Sequence, residues 1–217
     1  MRILVTGASG ILGRVTVPLL RDLGHDLATP SSSELDLFDA ERMREAVRDT
    51  QAVLHLATRI PTPDCRKLPG AWDENDRLRA HATRLLVDGA LSADTALIVV
   101  PTVAFVYPPG PADESTPRTD LPDSLHSALE AEGHLRRFTD AGRRGVVLRL
   151  GSLYGPGAAS PTPTDRYNAH LHTHDAGRAF VAALSCPGGI YNVCDDTDPV
   201  SHDRFTVATG WRPRPTR

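Results

Sequence analysis

The chain has 217 residues, of which 40% are hydrophobic and 24% charged, enough to bury a core and most simply one globular domain with a modest appendage. Its formal charge of -3 is spread along the length without a basic run, so neither nucleic acid nor an anionic membrane is an expected partner and a small molecule is. Cys65, Cys186 and Cys194 stand far apart with no CxxC spacing, which argues against a disulfide framework or a thiolate zinc site and makes a reducing cytoplasm the expected location. The opening MRILVTGASG holds an apolar stretch too short for a secretion signal.

Arg2 to Thr6 is β-branched and apolar, GASGILG follows at once, and VTVPLLRDLG then carries apolar residues at helical spacing as far as Gly24. That order predicts strand, tight turn and helix. A weak strand over 26–29 leads through SSSELDLFD to a helix over 40–48 with Asp39 as its N-cap, and AVLHLA reads as a continuous apolar strand. Further helices are expected over 72–91, 125–141, 174–184 and 201–210, with strands over 95–100, 145–150 and 190–193. Strand and helix alternate, so the expected architecture is α/β with a parallel sheet. Residues 108–122 and 155–163 gather Pro and Gly and read as loops framing a pocket at the carboxyl ends of the strands.

Gly7, Gly10 and Gly13 form GxxGxxG between a strand and a helix. Missing side chains there let backbone approach a pyrophosphate, and the helix N-terminus adds positive potential. Together with LDLFD at 35–39, LHLAT at 54–58, LRLGSLYGPG at 148–157, HTHDAGRAF at 172–180 and GIYNVCDD at 189–196, the sequence resembles the extended short-chain dehydrogenase/reductases, the NAD-dependent epimerase/dehydratase family, over nearly its whole length. The resemblance implies a Rossmann-type doubly wound sheet over 1–151 and a small substrate-side region over 152–217 packed partly into the same domain. It implies that Gly7, Ser9, Gly10, Ile11 and Leu12 hold the pyrophosphate of NAD or NADP, that Asp36 and Leu37 flank the adenine, and that Leu56, Ala57 and Thr58 line the path to the nicotinamide. The second strand ends in ATPSS, with Glu34 the nearby acid and Arg14 the nearby cation, so the choice between NAD and NADP stays open.

The family's chemistry needs a Tyr to pass a proton, a Lys four residues later to lower that phenol's pKa, and a Ser or Thr to orient the substrate oxygen. The 24 cationic side chains include one lysine, Lys67, and the residues four places after Tyr107, Tyr154, Tyr167 and Tyr191 are Pro111, Ala158, Leu171 and Asp195. In the matching helix, Ser124 falls at the Tyr position and Ala128 at the Lys position once the family's trailing Glu is set on Glu132. Thr102 matches the Ser/Thr, and Tyr107 is the remaining candidate acid, though a phenol without a cationic neighbour is a poor one at neutral pH. Arg79 replaces the family's Asn on the fourth helix; it reads either as a clamp for an anionic substrate or as a solvated arginine paired with Asp73 or Asp76. Arg79, Ser124 and Tyr154 are the expected substrate contacts.

His170, His172 and His174 would share one face of an extended segment, with Asp175 adding a carboxylate, as in a metal site. The same stretch matches a family segment whose His and Asp make structural hydrogen bonds, so no metal is expected. Glu130 and Glu132 read as surface and helix-packing residues. Phe105, Phe138, Phe180 and Phe205 read as core. The resulting expectation is an atypical NAD(P)-binding protein acting on a small metabolite as an oxidoreductase or epimerase with non-standard acid-base residues. A dinucleotide-sensing module and a non-redox cyclase, dehydratase or isomerase are the alternatives. A homodimer through the helices over 72–91 and 125–141 follows from the resemblance alone.

Overall fold

The structure is a computed structural model that describes residues 1–62, 64–104, 107–117 and 125–214. Its six-stranded sheet has the order β2-β1-β3-β4-β5-β8, every neighbour parallel, built from β1 (Arg2–Thr6), β2 (Asp26–Ala28), β3 (Ala52–His55), β4 (Leu97–Val103), β5 (Arg144–Leu150) and β8 (Gly189–Val193). Between β5 and β8, β6 (Ser152–Tyr154) pairs in parallel with β7 (His170–His172) as a separate two-stranded piece.

Alternation along the strands explains why the sheet is covered on both sides. Ile3, Val5, Leu54, Val99, Val146 and Leu148 pack into one core with α1 (Ile11–Asp22) and α6 (Thr173–Ala183). Leu4, Val53, Ile98, Val100 and Val147 face the other way, into a core with α2 (Ala40–Val47), α4 (Thr83–Leu91) and α5 (His126–Asp140). Asp39 caps α2 by accepting from the backbone of Glu41 and Arg42, as its sequence position implied. A third, smaller cluster of Val103, Tyr107, Ala112, Ala128, Cys194 and Val200 closes the carboxyl end of the sheet. Beyond β8, α7 (Asp203–Thr209) lays Phe205 into the first core.

The helix expected over 72–91 is interrupted. Regular turns cover α3 (Asp73–Arg77) and α4, but Leu78–Ala82 between them is a π-helix, an insertion often found beside functional sites. Nor do the three histidines share a strand. His170 and His172 lie on β7, while His174 is already inside α6, and the local reason is that the chain turns helical at Thr173. Among the described residues, no helix is long and apolar enough to cross a membrane.

Candidate dinucleotide and substrate site

Strand order reverses between β1 and β3, and the carboxyl ends of those two strands leave the crevice where open α/β sheets take ligands. Gly7 opens the turn after β1 at φ 72, and a Cβ there would lie 2.6 Å from the backbone N and Cα of Ala57, just past β3. A Cβ on Gly13 would lie 2.4 Å from the carbonyl oxygen of Ala8, so the first turn of α1 closes on the glycine loop only without one. Both glycines are therefore demanded by close backbone approach, and the third, Gly10, is the N-cap of α1 with no side chain over the helix end. Ser9, Gly10 and Ile11 line a cleft of about 380 Å³ whose opposite wall is Pro156 and Gly157. Arg14 lines the same cleft, steadied by its Nε donating to the Ser9 carbonyl at 2.8 Å. Its guanidinium thus belongs to the glycine turn and not to the end of β2, where the sequence had made it the nearest cation.

A short chain of hydrogen bonds ties this turn to the neighbouring elements. Thr6, the residue before Gly7, meets His55 Nδ1 through its hydroxyl at 2.7 Å, and His55 Nε2 reaches the Leu78 carbonyl in the π turn at 3.3 Å. Since a carbonyl only accepts, Nε2 carries the proton and Nδ1 accepts from Thr6. Burial pushes the His55 pKa down, which keeps the ring neutral. Leu56 is buried, Ala57 half-buried and Thr58 exposed, in order along the crevice. At the end of β2, Glu34 accepts from the Ser31 backbone at 2.8 Å and its hydroxyl at 2.7 Å, and Asp36 accepts from the Phe38 backbone at 2.9 Å. Both acids are turned into their own loop. Thr29, Pro30 and Arg42 line a larger groove of about 580 Å³ beside them.

On the substrate side the structure assembles a buried network that sequence reasoning missed. Arg149, next to the carboxyl end of β5, is 2% exposed and grips Glu132 of α5 with Nε at 2.9 Å and Nη2 at 2.7 Å. Its Nη1 donates to the Tyr107 hydroxyl at 2.6 Å, and that hydroxyl donates to Asn192 Oδ1 on β8 at 2.9 Å. Thr102 donates to Glu132 at 3.2 Å. Glu132, expected as a surface or helix-packing residue, is thus a buried ion-pair partner, because α5 turns that position onto the one charged residue of β5 that lies inside the sheet's cover. Burial works against the Arg149 charge, yet the bonds from Glu132 and Tyr107 outweigh it and raise its pKa. Burial also raises the Tyr107 pKa, with Arg149 opposing.

The other expected residues separate. Tyr154 donates to Asp195 at 2.8 Å and stacks edge-on against His172. His170 is engaged at both nitrogens, by Asp198 at 2.9 Å and the Thr164 carbonyl at 2.7 Å, and among the described residues no group of three or more His, Cys, Asp or Glu is placed to hold a metal. Asp175 anchors the end of the chain through Arg178 and the Arg214 backbone. Arg79 sits in the π turn, half-buried, with no ion-pair partner among the described residues, and Asp73 and Asp76 do not clasp it. Ala128 is fully buried on α5, whereas Ser124 and Phe105 lie outside the described residues.

Comparison with known proteins settles the family. The model of the NAD dependent epimerase/dehydratase family matches residues 3–181. The chain belongs to this epimerase/dehydratase family. Among curated relatives, a 3-diazoavenalumate denitrifying reductase from Streptomyces sp is 32% identical across 90% of this chain and 76% of its own. An L-arabinose 1-dehydrogenase (NAD(P)(+)) from Haloferax volcanii is 33% identical over 61% of this chain, which spans about half (51%) of that relative. The epimerase/dehydratase fold is equally plain in solved structures. UDP-N-acetylglucosamine 4-epimerase from Bacillus cereus superposes with a TM-score of 0.81 at 19% identity, covering 100% of this chain and 94% of its own. RMD from Pseudomonas aeruginosa complexed with NADPH gives 0.79 at 20% identity, covering 100% and 95%.

Proposed function

We propose that this family member is an NAD(P)H-dependent reductase whose hydride acceptor needs no proton from a protein phenol. The observation that carries the reading is a contrast: Gly7 and Gly13 keep the glycine turn free of side chains where backbone closes on it, while the Tyr–Lys pair is absent from the sequence and Ala128 stands at the Lys position that the family resemblance implies. The cradle fits a dinucleotide, since a Cβ at Gly7 or Gly13 would fill or displace it. Gly7, Ser9, Gly10, Ile11 and Leu12 would hold the pyrophosphate with Arg14 as the neutralising cation. Asp36 and Leu37 would flank the adenine, and Leu56, Ala57 and Thr58 would line the approach to the nicotinamide. Glu34, held ionised by its bonds to Ser31, and Arg42 both line the groove at the end of β2, so the residues there leave NAD and NADPH equally open.

When bound, the dinucleotide supplies a hydride. A ketone acceptor becomes an alkoxide that some acid must protonate, and Tyr107 is badly placed for that, because its proton is given to Asn192 and its lone pair to Arg149. A diazonium acceptor makes no such demand: C–N₂⁺ and hydride give C–H and N₂, charge and atoms balanced, with no protein proton consumed. The diazo reductase relative supports this choice of acceptor. Thr102, its hydroxyl proton donated to Glu132, has only its oxygen lone pairs left and so accepts from a substrate donor at most.

The test is a mixture of protein, NADPH deuterated on either face of C4, and 4-carboxybenzenediazonium, with a protein-free control. Benzoate carrying deuterium from one face alone, with N₂ release, is the expected result. Faster reduction of sugar or steroid ketones than of the diazonium would overturn the reading. NADPH binding with no acceptor turned over would instead favour a dinucleotide-sensing module, which the same missing pair supports. A homodimer through α4 and α5, proposed from the family resemblance, is tested by sedimentation equilibrium.

A further inference from the structure

Among the described residues, three buried side-chain polar atoms have no hydrogen-bond partner: Asn75 Nδ2, Arg79 Nε and, elsewhere, Thr173 Oγ1. The first two stand four residues apart on the helical backbone that runs from α3 into the π turn, a spacing that puts side chains on one face. Their chemistry is one-sided. Asn75 is fully buried and its Oδ1 already accepts from the Arg59 backbone at 3.2 Å, so what it has left is an NH₂ group. Arg79 offers N–H donors alone and carries a positive charge. Two enclosed donors with no acceptor are each destabilising unless something outside the chain satisfies them.

The nearest acid does not. Asp76 is close enough to favour the Arg79 charge, but it makes no ion pair with it and takes a hydrogen bond from Ser127 of α5 at 2.7 Å. The carbonyl of Leu78, the residue before Arg79, is held by His55, and His55 is held by Thr6 at the lip of the glycine turn. Asn75 itself fastens Arg59, one residue beyond the Leu56–Thr58 segment. The orphan donors therefore stand past the end of β3, tied through Arg59 and through the Leu78–His55–Thr6 bonds to the elements that carry the dinucleotide cradle, and Asp76 between them bonds Ser127, next to Ala128 on α5.

We propose that Arg79 and Asn75 are the recognition site for a carboxylate on the substrate. A carboxylate is the ligand that answers both donors at once: it supplies acceptor oxygens for a guanidinium and an amide together and brings the negative charge that Arg79 lacks. The proposal rests on the reductase reading in that the carboxylate belongs to that enzyme's substrate, and the site itself rests on the donors. Substrates of this enzyme are then aromatic or aliphatic acids and not neutral sugars.

The experiment is titration calorimetry of the whole protein with 4-hydroxycinnamate and with its methyl ester, each with and without saturating NADP⁺. The acid binds and the ester binds about tenfold or more weakly, as loss of a charge-assisted contact requires. R79M brings the acid down to the ester's affinity without changing the ester. N75D, which keeps the acceptor for Arg59 and replaces the donor by a negative oxygen, weakens the acid further. Melting curves of both variants show that they are folded. Equal affinity for acid and ester, an R79M protein that keeps its preference for the acid, or no acid binding to the wild type at millimolar concentration overturns the proposal. Fluorescence titration of NADPH on the same samples separates the two readings: acid selectivity without NADPH binding refutes the reductase and leaves the carboxylate site standing.

Discussion

Replacing Tyr107 by Phe isolates the part that the buried network plays. The hydroxyl accepts from Arg149 at 2.6 Å and donates to Asn192 at 2.9 Å, so its removal strands a charged donor and a neutral acceptor in a site where Tyr107 is 6% exposed. A hydrogen bond to a charged group contributes about 1.5–3 kcal/mol and a neutral one about 0.5–1.5 kcal/mol. Arg149 keeps Glu132, which limits the loss, so about 2–4 kcal/mol is expected. For a chain of this size that lowers Tm by about 5–12 °C. Urea unfolding followed by circular dichroism reads the change, and steady-state reduction measured well below the new Tm reads catalysis. The expected pattern is a marked loss of stability with kcat within about threefold of wild type, because a phenol bonded on both sides is a tether and not a proton donor. A stable variant with turnover reduced a hundredfold or more would refute the reasoning and return Tyr107 to the mechanism.

Gly7→Ala and Gly24→Ala form a pair, since both positions have positive φ (72 and 75) but only the first faces backbone, at 2.6 Å. The second is expected to cost about 1 kcal/mol and leave NADPH binding intact, while the first costs at least about 2 kcal/mol and abolishes it. Asp175→Ala unhooks Arg178 and the Arg214 backbone, so limited proteolysis is expected to cut the chain within 203–214 well before the wild type is touched. Two histidines push pH dependence in opposite directions. His170, whose pKa rises despite burial because Asp198 and the Thr164 carbonyl hold its protons, adds stability that is whole below 6.5 and is lost as pH climbs through its folded value. His55, whose pKa is lowered by burial, adds stability that is whole above 6.5 and is lost as pH falls towards its folded value. His170→Asn should therefore remove the alkaline decline and leave the acidic one, as urea titrations between pH 5 and pH 8.5 would show; a variant that still loses stability above pH 7 would contradict the assignment.

The alternating elements and the glycine turn were legible because each is written locally, in apolar period and in residues that only a close backbone demands. What escaped was written across elements. Arg149 was visible as a charge inside an apolar strand, a residue that needs a buried partner, but its partner sits 17 positions away on α5 and only the packing of α5 on β5 brings the two together. The π turn leaves no trace in helical periodicity, so the sequence left Arg79 open between a clamp for an anionic substrate and a solvated helix arginine. Asn75 drew no notice at all, because the backbone it serves, Arg59 just after β3, is 16 positions away and only the fold brings the two together. The alternation of His170, His172 and His174 misled because a period of two means a strand only while the strand lasts, and this one stops at His172.

The contact between α1 and α6 bears on how the chain is made. Gly177 of α6 comes so close to α1 that a Cβ there would stand 3.1 Å from the Val15 backbone, and Phe180 and Ala183 complete the cover over Leu12, Val17 and Leu20. On the ribosome the glycine-turn helix, Ile11–Asp22, therefore emerges far ahead of α6 with an apolar flank that stays bare until Thr173–Ala183 has been added. The earliest-made part of the nucleotide site thus waits for α6 to seal it, and throughout that interval the nascent chain offers the flank to chaperones or to other unfinished copies.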